Sequence, residues 1–528
     1  MLAVALLIHL STATAYIWPS PQLDALEAAR FDQTGHNAGR IAGFIQPCDT
    51  FFLGGLDSTG RSNVGDWLRT AYHDVATHNI TDGTGGMDAS IRFADEQKLF
   101  HTIQNVGDGI PNTIGLLFTV TGRYISMADS LALGPIIAIE NCGGPEIAFR
   151  GGRVDAAEAN PPGVPQPDQG LNAHIAAFAR QGFTQTDMIS LVACGHTFGG
   201  VQHEYFPDIV PELNDTTDTE SVAHFDSTFV TFDNKLAMEY IADTTKDPLV
   251  VGFNLTTNSD RRIFSSDGNI TMRSFAESSE KFKSTCARIL ALMFDTVPKG
   301  VELTDIITPL PVKPHNIQLM LDGDTLKLFG EVRFWNMTED RARDVLLIWE
   351  DHLGSTHHAT LSFAGLSTAV AERYTAAWYA FNQTAEIDFQ ALNPAAGITR
   401  MRFIVDGRVE DQGGLGFSVQ DSVVFSNSSC ATSQNPYTGH LDIGVRTGMP
   451  VARVYLEQQV NDDVQRVVIV ETEVEPPMTT SHPYSIWSID LRDANKFVLY
   501  TIGFELKDGT KFSTNDAHRL FDFPLCAI

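Results

Sequence analysis

The stretch LRTAYHDVATH, residues 68–78, places an arginine and a histidine four positions apart, with an aspartate directly after the histidine. Positions four apart share one face of a helix, so Arg69 and His73 are expected to point into the same space and Asp74 away from it. Such a pair can handle a proton and a negative charge in one cavity. The same spacing is more often found on a solvated helix face, so the interpretation depends on the rest of the chain.

The bulk composition limits the classes of protein to consider. The chain has 528 residues, which predicts two or three domains, and a formal net charge of −29. That charge argues against nucleic acid and against an anionic membrane as partners, because both repel an acidic surface. The sequence leaves the oligomeric state undetermined.

The first residues, MLAVALLIHLSTATAYIWPSP, contain an apolar run that ends in Ala13-Thr14-Ala15, a small-x-small cleavage pattern. We therefore expect a signal peptide over residues 1–15 and a secreted, extracellular protein. No later stretch is long and apolar enough to span a bilayer. In an oxidising compartment the six cysteines become candidates for disulfides. The Asn-x-Ser/Thr sequons fit a glycosylated protein and lie at Asn79, Asn214, Asn254, Asn269, Asn336, Asn382 and Asn427.

The pattern of apolar and polar residues along the chain changes near residue 301. Before it the pattern is helical, and SFAESSEKFKSTCARILALMFDTV predicts an amphipathic helix over 274–297. TPLPVKP, residues 308–314, is a proline-rich break, and beyond it apolar and polar residues alternate between Asp-Gly turns. We expect a multidomain fold: a mainly α-helical domain over 16–308, a linker over 309–314, and all-β, sandwich-like domains over 315–426 and 427–528.

A second histidine lies in SLVACGHTFGGVQHEY, where His196 interrupts an apolar, helix-like stretch flanked by glycines. A histidine in such a place is usually a hydrogen-bonded core residue. The alternative is an axial haem ligand whose small neighbours let a flat macrocycle approach. Such a ligand needs a carboxylate behind its other ring nitrogen, and Asp267 in FSSDGNI is the candidate.

Several segments in order decide between these alternatives: LRTAYHD, GTGGMDASIRF, NVG, NCGGPEIAFRGGRVD, VACGHTFGG, HFDSTFVTFD and FSSD. In this order and spacing the chain resembles the plant-type haem peroxidase superfamily over residues 40 to 300. The resemblance is strongest to the secreted fungal class, and GGPEIAFRGGRVD is also similar to cytochrome c peroxidase.

The resemblance implies a role for each residue of the constellation. His73 would be the distal acid–base histidine, Arg69 the distal arginine, and Asn105 the residue that fixes the His73 tautomer. His196 would bind the iron of one haem b, with Asp267 as its carboxylate partner. The activity implied is that of an enzyme that reduces hydrogen peroxide and oxidises small phenolic or aromatic donors.

Two structural calcium ions are also implied by the resemblance. The residues of the first site would be Asp74, Gly86 through its carbonyl, Asp88 and Ser90. The second would lie on the proximal side, and its ligands would be Thr197, Asp226, Thr228, Thr231 and Asp233. Oxygen donors clustered by a tight turn suit this ion.

Several positions depart from the family pattern. Tyr72 stands where the family carries Phe or Trp, either packing over the porphyrin or donating an electron. Manganese-oxidising members have carboxylates where this chain has Gly65, Arg61 and Gln202. Leu191 and Phe225 replace the two redox-active tryptophans known in the family. Donors are therefore expected at the exposed haem edge.

The resemblance also guides the cysteine pairing, although six cysteines allow fifteen combinations. Cys48–Cys142 resembles a family bridge. Cys194–Cys286 and Cys430–Cys526 would then complete the set. The β region carries no family motif and reads as a spacer or stabilising module. The alternative function is a non-enzymatic, calcium-stabilised cell-wall or adhesion glycoprotein on a peroxidase scaffold.

Overall fold

The computed structural model describes residues 17–52, 59–98, 105–382, 389–434, 437–478, 481–494, 498–514 and 516–526. The expected signal peptide, residues 1–15, lies outside this range. Among the described residues, none of the helices has the length and apolar character needed to cross a membrane.

The N-terminal part of the chain is helical, as predicted. Its described α-helices are α1 Pro21–Phe31, α2 Asn63–Val75, α3 Ala94–Lys98, α4 Gly109–Leu117, α5 Met127–Asn141, α6 Leu171–Gln181, α7 Gln185–Gly195, α8 Lys235–Ile241, α9 Pro248–Val251, α10 Ser259–Phe264, α11 Ile270–Glu277 and α12 Ser279–Phe294. Helix α5 is buried along nearly its whole length and packs against α2 and α4. It forms the centre of a core that continues into α7 and α12.

Local sequence sets the ends of the helices that carry the two histidine segments. Ser62 caps α2 by accepting a hydrogen bond from the N–H of Gly65, and Thr184 forms a capping box with Asp187 at the start of α7. The single helix predicted over 274–297 is wrong, because the chain breaks at Ser278. There the backbone is extended, and the serine hydroxyl accepts from the N–H of Lys281 to start α12 anew.

The C-terminal part is built from strands, as predicted. The helical part contributes β1 Thr34–Gly35, β2 Gly200–Gln202 and β3 Val222–His224. The described strands that follow are β4 Val312–Asp322, β5 Thr325–Trp335, β6 Val345–Glu350, β7 Thr356–Thr360, β8 Ser362–Thr368, β9 Thr375–Ala380, β10 Gln390–Leu392, β11 Arg400–Val405, β12 Arg408–Glu410, β13 Phe417–Ser418, β14 Val423–Ser426, β15 Cys430–Gln434, β16 Tyr437–Arg446, β17 Val451–Asn461, β18 Val467–Val474, β19 Tyr484–Ala494, β20 Leu499–Leu506 and β21 Lys511–Ser513.

The two sandwiches share one long sheet, which supplies one β layer to each of them. That sheet runs β1-β8-β9-β5-β4-β14-β16-β15, with β10 on β5 and β19 on β16. The sheet of β12, β11, β6, β7 and β13 covers its first half, and the sheet of β18, β17, β20 and β21 covers its second half. Two separate apolar cores result, which agrees with two sandwich-like units. Strand β14 serves both, because Val424 packs in the first core and Val423 in the second.

The proline-rich segment is not wholly a linker. Strand β4 already begins at Val312, and Pro314 is paired with Val332 of β5. Proline is tolerated there because the other neighbour of β4, strand β14, pairs only with Met320 and Leu321, so no ladder bond is lost at Pro314.

A buried ion cluster joins α1 to the first sandwich. Arg333 of β5 forms ion pairs with Glu27 and Asp32, and Lys313 of β4 lies 2.9 Å from Glu27. Burial raises the pKa of Glu27, but Lys313 and Arg333 outweigh it and bring the value to about 2. The described helical part and the first sandwich are therefore held together by paired charges as well as by the β1–β8 pairing.

The three predicted disulfides are confirmed. Cys48–Cys142 joins the segment after the first helix to the end of α5, Cys194–Cys286 joins α7 to α12, and Cys430–Cys526 closes the second sandwich.

Candidate active site

A cavity of about 290 Å³ lies between α2 and the end of α7. Three of the predicted site residues, Arg69, His73 and His196, line it. At one edge its two sides approach closely, because a Cβ on Gly65 would lie 3.3 Å from the Cα of Gly199. The rest of the wall is mainly apolar, as contact with a porphyrin ring requires, and includes Leu68, Phe178, Leu191, Val192, Phe198 and Phe225.

His73 is oriented by an amide on the distal side of this cavity. Its Nδ1 lies 2.8 Å from Oδ1 of Asn105, and since an amide oxygen only accepts, Nδ1 carries the proton. Nε2 is then left as a base. Asn105 is held in turn, because its Nδ2 donates to the carbonyl oxygen of Glu96 at 3.0 Å. The structure therefore brings His73 and Asn105 together as the resemblance implies.

The surroundings of His73 favour its neutral form, in which Nε2 can accept a proton. Burial is the main reason that the pKa of His73 falls to about 3, and the nearby Arg69 guanidinium lowers it further. The hydrogen bond with Asn105 acts in the opposite direction. Arg69 shares the cavity-facing side of α2, and its Nη2 donates to the carbonyl oxygen of Val106 at 3.0 Å. A neutral histidine thus stands beside a fixed positive charge.

His196 caps the C-terminal end of α7, and its Nδ1 lies 2.6 Å from Oδ2 of Asp260. Asp260 is 1% exposed, in the first turn of α10. The His196 ring stacks on Phe225 with a centroid distance of 4.1 Å and an interplanar angle of 6°. With Nδ1 engaged by a carboxylate, Nε2 is the ring nitrogen that can bind iron.

The predicted partner of His196 was Asp267, and that prediction is wrong. Asp267 instead caps α11, accepting from the N–H groups of Ile270 and Thr271 at 3.0 Å each. The signal that could have separated the two aspartates is the apolar pattern around them. Asp260 precedes Ile263 and Phe264, which face the core, whereas Asp267 lies in the polar turn SSDGN.

A second carboxyl group near Asp260 was missed in the sequence. Asp247 is completely buried at the start of α9, where its Oδ1 accepts from the N–H of Leu249 at 2.7 Å. Its Oδ2 has no hydrogen-bond partner among the described residues. Burial, and then the charge of Asp260, raise the pKa of Asp247 well above its ordinary value. The site therefore contains a second buried carboxyl group whose pKa is raised by burial and by Asp260, the carboxylate that holds His196.

The first predicted calcium set is assembled, but its oxygens are already engaged. Asp74 accepts from the N–H groups of Asp88, Ala89 and Ile91 at 2.8 to 3.1 Å, and the carbonyl of Gly86 accepts from Asp88. The amide nitrogen of Asn160, which the sequence did not single out, lies between the remaining oxygens of Asp88 and Ser90.

The charge state of this region is that of a buried acidic cluster. Burial raises the pKa values of Asp74, Asp88 and Glu96, the last to about 7. Over the described ranges, no group of three or more His, Cys, Asp or Glu side chains is arranged to hold a metal ion. As placed, these residues do not fit a calcium ion.

The second predicted calcium set fits the ion better. Thr197 Oγ1 donates to the carbonyl oxygen of Asp233 at 2.8 Å, and Thr228 Oγ1 lies 3.2 Å from Oδ1 of Asp233. Thr231 donates its N–H to the Thr228 carbonyl. Oδ2 of Asp226 is buried without a partner in the described part of the chain, and burial raises the pKa of Asp226 to about 7. An orphaned carboxylate oxygen among hydroxyls and carbonyls is a donor set that calcium accepts.

Tyr72 packs beside the cavity. Its ring stacks on Phe178 at 5.8 Å, and its hydroxyl is buried without a hydrogen-bond partner among the described residues. Burial raises the pKa of Tyr72. The buried, stacked ring favours a packing role over electron donation.

Three carboxylates that the sequence did not single out meet Arg61 at the cavity edge. The guanidinium lies 2.8 Å from Asp66, 2.8 Å from Asp108 and 3.1 Å from Glu220. The amide of Gln202 donates to Glu220. The arginine therefore neutralises these three carboxylates, in the position where the manganese-oxidising members would hold a divalent cation.

Comparison with known proteins identifies the class of this domain. Residues 55–282 match the family model described as Peroxidase, and they form a peroxidase-family domain within the chain. The two histidines and their hydrogen-bond partners, Asn105 and Asp260, lie within residues 55–282.

Particular relatives extend the comparison. The chain is 37% identical over 347 residues to a WSC domain-containing protein of Arthroderma benhamiae, covering 64% of this chain and 46% of that protein. It is 33% identical over 139 residues to L-ascorbate peroxidase 5, peroxisomal, of Arabidopsis thaliana, covering 26% of this chain and 48% of that one. It is 33% identical over 138 residues to mitochondrial cytochrome c peroxidase of Yarrowia lipolytica, covering 25% and 39%. The chain thus spans about half the length, or less, of these curated relatives.

Proposed function

We propose that the protein is a haem peroxidase that reduces hydrogen peroxide and oxidises small phenolic or aromatic donors at the haem edge. One observation carries the proposal. Two histidines line the same apolar cavity, and each has its own orienting partner, Asn105 for His73 and Asp260 for His196. A structural histidine needs no such arrangement in a cavity.

The residues divide the work as follows. Haem, when bound through His196, would supply the iron at which peroxide is reduced. Nε2 of His73, the ring nitrogen left without a proton, would accept one proton from hydrogen peroxide and return it to the oxygen that leaves as water. Arg69 stabilises the negative charge that develops as the O–O bond breaks. Asp260 makes His196 a more basic ligand. Two electrons from the donors and two protons complete the conversion of one peroxide to two waters.

Haem binding is the first test. We expect the purified protein to take up one haem and show a Soret band, and His196→Ala to lose the haem or hold it weakly because the iron loses its protein ligand. His440→Ala, which changes a histidine of the second sandwich, is the matched control and should bind haem normally. A His196→Ala variant with normal haem content would contradict the assignment, and a wild-type protein without haem would favour the non-enzymatic alternative.

The charged residues at the cavity edge indicate which class of electron donor the protein oxidises. Arg61 already occupies the space among Asp66, Asp108 and Glu220, so a divalent cation would meet a positive charge there. We expect turnover of small phenols and no saturable oxidation of micromolar Mn(II). Arg61→Ala should unmask the carboxylates and raise Mn(II) binding. Saturable Mn(II) oxidation by the wild-type protein would contradict this account, as would a Tyr72→Phe variant that is inactive toward phenols.

A calcium ion at the second set is part of the proposal. The orphaned Oδ2 of Asp226 supports it. Ligand binding to the folded state alone raises stability, so a chelator should lower the melting temperature of the wild-type protein. Asp226→Asn should be less stable and no longer respond to the chelator. A wild-type melting temperature unchanged by chelation would count against this site.

Secretion is proposed from the disulfides and the sequons. The three disulfides need an oxidising compartment, and the sequon residues Asn214, Asn336 and Asn427 are exposed. We expect the native protein in the culture medium, with a mass that falls on treatment with an endoglycosidase. A native protein found inside the cell without glycans would contradict this part.

A further inference from the structure

We propose that the side-chain amide of Asn160 takes the place of a calcium ion at the first predicted calcium set, so that the distal half of the site is held without metal. The inference concerns the acidic cluster of Asp74, Asp88 and Glu96, whose side chains are all at most 4% exposed. Buried carboxylates of this kind need positive partners or hydrogen-bond donors. The inference about Asn160 rests on the proposed function only where it concerns the position of His73.

The position of the Asn160 nitrogen carries the argument. Nδ2 lies 2.9 and 3.1 Å from the two carboxylate oxygens of Asp88 and 2.9 Å from Oγ of Ser90, and Oγ1 of Thr77 is 3.4 Å away. A nitrogen among four oxygens holds the place that a cation would hold. The longer distances suit hydrogen bonds, whereas calcium binds oxygen at about 2.3–2.6 Å.

The chemistry of the neighbours fixes which end of the amide points inward. At most one oxygen of Asp88 can carry a proton, so at least one of the two only accepts, and the amide group that contacts both is the NH₂ and not the carbonyl. The reversed amide would set three oxygens against each other. The assignment therefore follows from the contacts themselves.

The loop that carries Asn160 is fastened independently of any metal. The N–H of Ala156 donates to the carbonyl of Asp88 at 2.8 Å, and Arg92 donates to the carbonyl of Ala156. Arg180 donates to the carbonyl of Gly163 at 2.8 Å, at the far end of the same loop. Asn160 is thus presented to the cluster by a segment with its own hydrogen bonds.

Asn160 also connects the cluster to the distal histidine. Its backbone N–H donates to Oε2 of Glu96 at 2.9 Å, and the Glu96 carbonyl accepts from Asn105, which holds His73. Asn160 therefore contacts the side chain of the same residue whose main-chain carbonyl holds Asn105.

The test measures calcium bound per chain by mass spectrometry on the haem-loaded, full-length protein after removal of free metal. We expect Asp88→Asn to leave the calcium content unchanged from wild type. Asn160→Asp, which replaces the NH₂ by a carboxylate oxygen, should gain one calcium per chain. Asn393→Asp, at an exposed asparagine of the first sandwich, is the matched control and should gain none.

A second measurement tests whether Asn160 replaces a cation or only supports the local structure. Asn160→Ala should melt at a lower temperature than wild type, and added calcium but not added magnesium should restore part of the loss. Calcium content is measured independently of activity, so these results test the inference even if the protein does not turn over peroxide. Loss of one calcium per chain in Asp88→Asn would overturn the inference, as would an Asn160→Asp variant that folds and gains none.

Discussion

At the scale of single residues, the site shows what a pattern can and cannot decide. Arg69, His73 and Asn105 could be assigned because a shared helix face and the family resemblance agreed. The partner of His196 could not be assigned, because Asp260 and Asp267 are both aspartates close to helix ends, and only the packing of α10 turns one toward His196. Asn160 and Asp247 were missed because nothing in their local sequence marks Asn160 as a partner of Asp88 or Asp247 as buried.

The two aspartates give a matched pair of variants. Asp260→Asn should weaken activity or haem binding by about 10–100-fold, because the carboxylate behind His196 becomes a neutral amide. Asp267→Asn should cost only part of a helix cap, below about 1 kcal/mol, and leave the haem spectrum unchanged. Absorption spectra and steady-state rates of both variants test this difference between the two aspartates. Equal effects of the two substitutions would show that the Asp260 contact is incidental.

The pH dependence of the peroxide reaction follows from His73. The base is active when neutral, and burial lowers the pKa of His73 to about 3, so its neutral fraction falls only as pH drops toward that value. The rate constant for reaction with peroxide should therefore be nearly flat between pH 8 and pH 5 and fall below it. Stopped-flow measurements after brief pH jumps provide the curve. A midpoint near the ordinary histidine value of about 6.5 would contradict the burial argument.

At the scale of elements, the site depends on where α2 and α7 end up relative to each other. The apolar periodicity predicted helix over 274–297, but the break between α11 and α12 could not be predicted, since a serine is tolerated within a helix and becomes a cap only when the backbone turns there. The Cys194–Cys286 bridge fixes α7, two residues before His196, to α12.

This bridge and the one in the second sandwich enclose loops of similar size, with sequence separations of 92 and 96. Removing either pair by alanine substitution should cost about 2–5 kcal/mol in the free energy of unfolding. Only Cys194→Ala with Cys286→Ala should also weaken haem retention. Thermal melts together with haem loss to a competing haem-binding protein separate the two effects. Equal haem retention in both double variants would mean that the bridge does not position His196.

At the scale of the whole molecule, the β region is attached to the helical part at several described places. Arg123 lies 2.7 Å from Glu457 of β17 and Arg92 donates to the carbonyl of Val464, while the ion cluster of α1 joins the first sandwich. The change of residue pattern near residue 301 predicted an all-β region, but it could not predict that one sheet forms a layer of both sandwiches. Such pairings join residues far apart in the chain, and local alternation does not encode them.

The ion cluster makes a prediction about stability. Arg333→Met would leave Glu27 and Asp32 buried with Lys313 as their remaining cation, and breaking a buried pair costs about 3–5 kcal/mol. Arg341→Met, at an exposed ion pair, should leave the melting temperature almost unchanged.

The pH dependence of this cluster has a definite sign. The pKa of Glu27 is lowered to about 2, so its contribution is present above the ordinary glutamate value and is lost as pH falls toward 2. Calorimetry at pH 7 and pH 3 measures both effects. An Arg333→Met variant as stable as Arg341→Met would contradict the role given to the cluster.

The measurement that tests the central claim most directly is the rate of reaction of the haem-loaded protein with hydrogen peroxide, followed by stopped-flow absorbance in wild type and in His73→Leu. The two proteins should hold equal amounts of haem, since His73 is not the iron ligand. We expect the variant to react about 10²–10⁴-fold more slowly, because no base remains to move the peroxide proton. A variant that reacts at the wild-type rate would show that the cavity between α2 and α7 does not work as a peroxidase site.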